Sequence, residues 1–493
     1  MVESVQHWGV LAPLIITLLT PFGIYLARHD ENLREGVSFF GGILTFISVL
    51  ALVPSVLNGE VPSFTVLILY EGLRITFAVD GLSMIFALVA SFLWIIATSY
   101  NIGYMRSLNE HAQTRYYICF AVAIFGALGV AYSGNILTMY LFYEIITFCT
   151  CPLVAHHEDE DAYKGMRKYL AYLLGSSKLF LFPAMIITYF IVGHLDFNMS
   201  DIGTGIFPAD ANSKAVIAVY ILFIAGMAKA AIMPLHNWLP SAMVAPTPVS
   251  GLLHAVAVVK AGVFCISRVI LSVFGLETMD QLFLGIPTAY VAAFTIVTAS
   301  IIAMTKDDLK ARLAYSTVSQ LSYVVIGVAM INSLSIAGGT MHIAHHAFSK
   351  ITLFFAAGAI YVATHQKKIS KLKGVGRKMP WTIGAFSIAA LSMIGVPPVS
   401  GFISKWYLLL GSLETQHLIL MYALLASTLL NAYYFGHIIY TAFFGKPDDE
   451  AELENYREAP LIMVVPITIT ALISVFLGLF PETFYQFIAI MSR

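Results

Sequence analysis

Long apolar stretches separated by short polar punctuation run the length of the chain. A helix needs roughly 20 mostly apolar residues to cross a bilayer. Fourteen stretches meet that need, near 8–27, 37–57, 78–101, 116–132, 135–155, 167–192, 214–239, 248–272, 284–305, 312–331, 335–363, 381–411, 416–444 and 459–488. The pattern predicts an all-α polytopic membrane protein. Two stretches are interrupted. Pro234 interrupts the seventh, with Pro246 and Pro248 close behind it, and Pro397 and Pro398 interrupt the twelfth. Broken helices at corresponding positions point to an inverted repeat. The predicted units are spans 4–8 (116–272) and spans 9–13 (284–444). Peripheral helices in 1–115 precede them and a last helix in 459–493 follows.

Composition agrees. The 493 residues are 59% hydrophobic and 11% charged, with a mean hydropathy of +0.82, where a soluble protein carries roughly a quarter charged residues. The net charge of −1 suggests neither nucleic acid nor an acidic substrate. Four cysteines match neither a zinc nor a redox spacing. The first apolar stretch follows Glu3 and lacks a basic leader, so no cleavable signal peptide is expected. No nucleotide loop, dinucleotide fingerprint or soluble catalytic domain is present. No cofactor, metal or active site of the chain's own is expected.

Basic residues orient the spans. Of 27 lysines and arginines, eighteen fall in loops after odd-numbered spans. Four, Arg74, Lys214, Arg268 and Arg493, fall in the even-numbered loops and the tail. The odd loops are therefore expected in the cytoplasm and both termini outside. A prokaryotic inner membrane is the expected location.

The five remaining cations, Lys178, Lys229, Lys260, Lys350 and Lys405, lie within spans. A charge at the bilayer centre costs about 3 kcal/mol or more, so its default reading is functional. Glu144 is the one acid clearly in mid-span, and Asp80 lies near the outer end of the third span. Lys229 is the natural partner for Glu144. Lys178 is either a further relay member or a lysine facing a polar interior. His342, His346 and Lys350 are spaced i, i+4, i+8 and share one helix face, with His345 off it. Histidine titrates near neutrality, which suits a proton relay. His254 joins the same set. The run 156–168 (HHEDEDAYKGMRK) is expected to be a solvated loop rather than a metal site.

At these residues the chain resembles the antiporter-like subunit family. That family includes the D-type member of Mrp-type cation/proton antiporters and the homologous membrane subunits of respiratory complex I and membrane-bound hydrogenases. Four blocks carry the likeness: DGLSMIFAL (80–88), KAAIMPLHNWLPSAMVAPTPVSGLLHA (229–255), HIAHHAFSK (342–350) and GVPPVSGFISKW (395–406). The resemblance implies fourteen core helices with breaks in helices 7 and 12, and a proton path along a hydrated midplane axis. It implies a Glu144–Lys229 coupling pair, a central Lys260, a relay through His346 and Lys350, and a terminal Lys405. Lys178 departs from the pattern. The chain also ends soon after the fourteenth span, which favours the shorter members, of Mrp D-type or hydrogenase type.

The resulting expectation is a proton-translocating subunit of a multisubunit complex, most readily an Mrp-type sodium/proton antiporter. Its expected partners are other membrane subunits, including a second antiporter-like one, and the lipid bilayer. Any sodium path is expected elsewhere, because a sodium site needs several oxygen ligands. The alternatives are a redox-driven pump of hydrogenase or NADH dehydrogenase type and a proton-fed partner of an inorganic-carbon-uptake protein.

Overall fold

The computed structural model describes residues 6–491. The extreme termini, including Glu3 and Arg493, lie outside the described residues. The chain is predominantly helical, with one two-stranded sheet among the described residues. Among the described residues, eleven helices are long and apolar enough to cross a membrane. Ser213–Gly226 and Pro380–Ile394 are shorter apolar helices.

Helix starts follow from local chemistry. Asp30, Asp80, Asn135, Asp159, Asp308 and Asn332 each accept a hydrogen bond from a backbone N–H in the first turn of the helix they precede. Such caps satisfy donors that the helix itself cannot. Pro246 and Pro248 serve a helix start too, which corrects their reading as break residues. Pro246 caps Thr247–Gln281 and Pro248 occupies its first turn, where a missing N–H costs nothing.

Thr247–Gln281 is the central helix, because the whole of its apolar window is buried. Ser333–Thr364 and Gly81–Ser107 flank it, largely buried. The two N-terminal helices, Trp8–Leu26 and Glu31–Leu57, are mostly exposed and peripheral. Gly262 allows the central helix its closest approach to a neighbour. A Cβ there would stand 2.2 Å from the backbone nitrogen of Ala230.

Both expected interruptions are present. One helix ends at Gly226, and a short 3₁₀ turn, Ala228–Ala230, and an irregular stretch holding Pro234 lead to Trp238–Ser241. Trp238 Nε1 donates to the Ala228 carbonyl (2.9 Å), and the Met233 N–H donates to Thr295 Oγ1 (3.2 Å). Side chains thus replace the missing ladder, as membrane-depth irregular backbone requires. The other helix ends at Ile394 and restarts at Ser400, with Gly395 at φ +92° and Pro397 and Pro398 in the turn. That φ is costly for any residue with a Cβ.

A hairpin stands where no element was expected. Strands β1 (Ser63–Tyr70) and β2 (Leu73–Ala78) pair antiparallel, with Thr65 opposite Thr76. The hairpin straps the start of the Ile136–Val154 helix. Asn135 Nδ2 donates to the Arg74 carbonyl (2.8 Å) and the Thr76 N–H donates to Thr138 Oγ1 (3.1 Å).

Three readings need correction. Arg268, counted as a loop residue, lies inside the central helix, fully buried. It makes a two-pronged pair with Asp80 at 2.5 and 2.7 Å, which removes the cost of carrying its charge through an apolar core. Arg34, also counted in a loop, sits inside Glu31–Leu50, where Gln113 accepts from its guanidinium (2.7 Å). In the 156–168 run, a helix begins at Glu160 and His156 is wholly buried, so the run is only partly a solvated loop.

Asp80→Asn leaves the Arg268 charge buried and unpaired. Thermal unfolding of the purified protein in detergent is expected to show a loss of about 3–5 kcal/mol. Asp80→Asn combined with Arg268→Gln should lose less than the single change.

Candidate functional site

Lys229, Lys260 and Lys350 are fully buried and Lys405 is nearly so. Among the described residues, none of the four makes an ion pair with a carboxylate. Lys229 lies on the first break. Its Nζ donates to the Tyr143 carbonyl (2.7 Å) and Thr147 Oγ1 (2.6 Å), and it stands 3.2 Å from the Tyr143 ring centroid. Lys260 Nζ donates to Nδ1 of His346 (2.8 Å). Lys350 Nζ donates to Ser316 Oγ and to the Leu313 carbonyl (3.2 Å). Lys405 Nζ donates to the Met393 (2.6 Å) and Ile394 (3.0 Å) carbonyls, which the second break frees from the helical ladder.

A file of groups joins two of these lysines. His346 and His342 lie one turn apart on Ser333–Thr364, ring centroids 5.8 Å apart. His342 Nε2 is 3.0 Å from Gln320 Oε1, and its Nδ1 is 2.8 Å from Ser404 Oγ. An amide oxygen can only accept, so the ring carries its proton on Nε2 and Nδ1 accepts from the serine. Gln320 Nε2 in turn donates to the Met393 carbonyl that holds Lys405 (3.3 Å). Asn431 Nδ2 reaches the same carbonyl (3.3 Å), and the Tyr434 hydroxyl donates to Asn431 Oδ1. The succession is Lys260, His346, His342, Gln320, the Met393 carbonyl, Lys405. His346 Nε2 makes no hydrogen bond, so the two rings are neighbours only, and the Met393 carbonyl accepts from both Gln320 and Lys405.

Sequence reasoning missed Gln320, Ser404, Ser316, Asn431 and Thr147, all uncharged. The helix-face signal that picked out His342 gives no hint of the neighbours that complete its bonds. Lys350 shares the face of His346 but turns to the Leu309–Ala329 helix instead. His254 is fully buried against Phe354, ring centroids 4.5 Å apart, and neither ring nitrogen makes a hydrogen bond. His345 is likewise buried without a hydrogen bond.

Glu144 is buried in Ile136–Val154. Its ion-pair partner is Lys178, at 3.3 Å, rather than Lys229. Lys178 also donates to the Tyr140 hydroxyl (2.6 Å), one turn from Glu144. Of the two expectations for Lys178, a further relay member or a lysine facing a polar interior, the second is not met, because its side chain is 52% exposed on the outer surface of the bundle. A π-helical turn, Ser177–Leu181, sets this angle by shifting the helix register at Lys178. Glu144 therefore has Lys178 on its outer side and, through Tyr143 and Thr147, Lys229 on its inner side.

His346→Leu removes the acceptor of Lys260, whereas His345 lies off that face. In reconstituted vesicles, His346→Leu is expected to slow proton transport by at least about tenfold and His345→Leu by less than about twofold.

Residues 133–431 match the family described as NADH:quinone oxidoreductase/Mrp antiporter, TM. That stretch holds Glu144, the five lysines of the spans and the three histidines of 342–346. Subunit N of the NADH-quinone oxidoreductase of Desulforudis audaxviator (strain MP104C) is 33% identical, over 96% of this chain and 94% of that one. Na(+)/H(+) antiporter subunit A1 of Staphylococcus haemolyticus (strain JCSC1435) is 29% identical over 98% of this chain, which spans only 62% of that longer protein. A chain of the membrane-bound sulfane sulfur reductase, an archaeal respiratory membrane complex, shares the fold, with a TM-score of 0.85 at 21% identity over 98% of this chain and 96% of that one. The chain is an integral, multi-pass membrane protein, and it belongs to the NADH:quinone oxidoreductase/Mrp antiporter family of membrane subunits.

Proposed function

We propose that this chain moves protons through the membrane arm of a multisubunit complex, with its working groups at Lys229 and on the file from Lys260 to Lys405. The observation that carries this reading is the set of four buried lysines held by neutral acceptors, two of which, Lys260 and Lys405, have His346 and His342 between them. Such lysines bind and release protons more readily than ion-paired ones, because burial opposes their charge and no carboxylate fixes it. In this reading the chain crosses the membrane fourteen times as two inverted five-helix units (116–272 and 284–444). Helices in 1–115 and 459–493 flank these units, and both termini lie on the outer side of a prokaryotic inner membrane.

The trigger is the Glu144–Lys178 pair. Charge on a neighbouring protein of the complex pulls Lys178 away, and the unpaired Glu144 then attracts Lys229 from Thr147. The changed field alters the proton affinity of Lys260, which passes its proton to His346. The charge on His342 is felt at Lys405 through the Gln320 amide and the Met393 carbonyl as a change of field, and Lys405 exchanges its own proton with one side of the membrane. Lys350 and His254 act as side stores on the same axis. Low effective dielectric keeps each such coupling strong over a few ångströms.

The first reading of the complex is a sodium/proton antiporter of Mrp type, with this chain in the place of the D-type member. The likeness to an antiporter subunit over 98% of the chain supports it. A redox-driven pump is the second reading, favoured by the end-to-end match to a subunit N. Sodium, where it is carried, crosses elsewhere. Mass spectrometry of the complex in mild detergent separates the two: iron–sulfur or nickel–iron subunits mean a redox drive, and a second large homologue among small hydrophobic partners means the antiporter.

Glu144→Gln and Lys229→Ala are each expected to abolish proton-coupled transport in vesicles while the complex still assembles. Normal transport in either variant removes the mechanism.

A further inference from the structure

A second cluster stands apart from the lysine file. Glu110 and His111 lie in the link between Gly81–Ser107 and Gln113–Ala131, and His156 follows the end of Ile136–Val154. One ligand-type atom from each lies within 4.8 Å of the others. His156 is fully buried, yet neither of its ring nitrogens makes a hydrogen bond. Its Nε2 is 3.5 Å from Glu110 Oε2. The His111 and His156 ring centroids are 4.8 Å apart. His157 Nδ1 lies 3.8 Å from the same Glu110 oxygen and can supply a fourth ligand. Buried polar atoms without partners are rare and ask for one.

We propose that Glu110, His111 and His156 bind a divalent cation of the zinc class, with His157 completing the shell. Imidazole with one carboxylate suits zinc, whereas calcium and magnesium prefer all-oxygen shells. Bonds of about 2.1 Å place tetrahedral ligands about 3.4 Å apart, so modest side-chain rotation closes the set. The surrounding charge permits it. Arg106 is paired with Glu35 and Arg115 with Glu158, and Arg115 Nη2 donates to the His156 carbonyl (3.4 Å), steadying that backbone. Lys310 is turned to the Ala245 carbonyl (2.6 Å).

The position gives the site a consequence. Glu110 and His157 line a cavity of about 550 Å³ that is also lined by Thr247, the first residue of the central helix, and Lys310. A bound cation takes Glu110 and His157 out of use at the mouth of that cavity.

The test uses the complex purified without a polyhistidine tag, stripped with a chelator and titrated with zinc chloride in a calorimeter. The wild type is expected to bind one more zinc per copy of this chain than His111→Ala or Glu110→Gln, or to bind it at least about tenfold more tightly. Zinc X-ray absorption of the wild type should show two or three imidazoles. His111 is exposed, so its loss leaves the fold intact and makes its variant decisive. Equal stoichiometry and affinity in wild type and both variants, or a spectrum without imidazole, overturns the site.

Discussion

A lysine in a low-dielectric interior must find acceptors, and here the acceptors are neutral. Carbonyls of Tyr143, Leu313, Met393 and Ile394, hydroxyls of Thr147 and Ser316, and one imidazole nitrogen hold the four buried ammonium groups. A carboxylate in their place would lock each charge, because breaking a buried ion pair leaves an uncompensated charge behind. Neutral dipoles hold the proton more loosely. The second break follows from the same need. Ending one helix at Ile394 and restarting at Ser400 releases carbonyls that an intact helix would keep to itself.

The surface explains why one carboxylate stands apart. Glu144 has its counter-ion at the edge of the bundle, on a half-exposed lysine, while Lys229 approaches the same turn from within. The apolar residues around that edge, among them Phe148, Leu179 and Phe190, are well exposed. The pair thus lies on a lateral face that lipid or another subunit must cover. The hairpin holds the same helix from its far end through Asn135 and Thr138. A shift of the strap therefore reaches Glu144 through a rigid element rather than a loop.

Much of this was legible in the sequence. Hydropathy located the helices, prolines marked both interruptions, and charges within spans found every buried lysine. Spacing alone put His342 and His346 on one face. The failures share a cause, which is that charge and hydropathy say nothing of neutral polar groups or of register. Gln320 and Thr147 are common residue types whose role depends on what faces them. The strands β1 and β2 fell in the link between the expected spans 37–57 and 78–101, where no element was assigned, although the two-residue Glu71-Gly72 link between apolar runs allows a hairpin. The Glu144–Lys178 contact depends on a π turn that no periodicity announces. Pro246 and Pro248 were counted with the break because a proline run looks the same at an interruption and at a helix start.

The Met393 carbonyl receives donors from Lys405, Gln320 and Asn431 at once. An oxygen has two lone pairs, so the three donors compete, and the lysine, at the shortest distance, holds the first place. When Lys405 swings away, the two amides are already in position to fill both lone pairs. The carbonyl therefore never stands bare, and the ammonium returns only by displacing a bonded neighbour. Such substitution at a crowded acceptor works as a latch. It gives the departing lysine a replacement and the returning one a competitor.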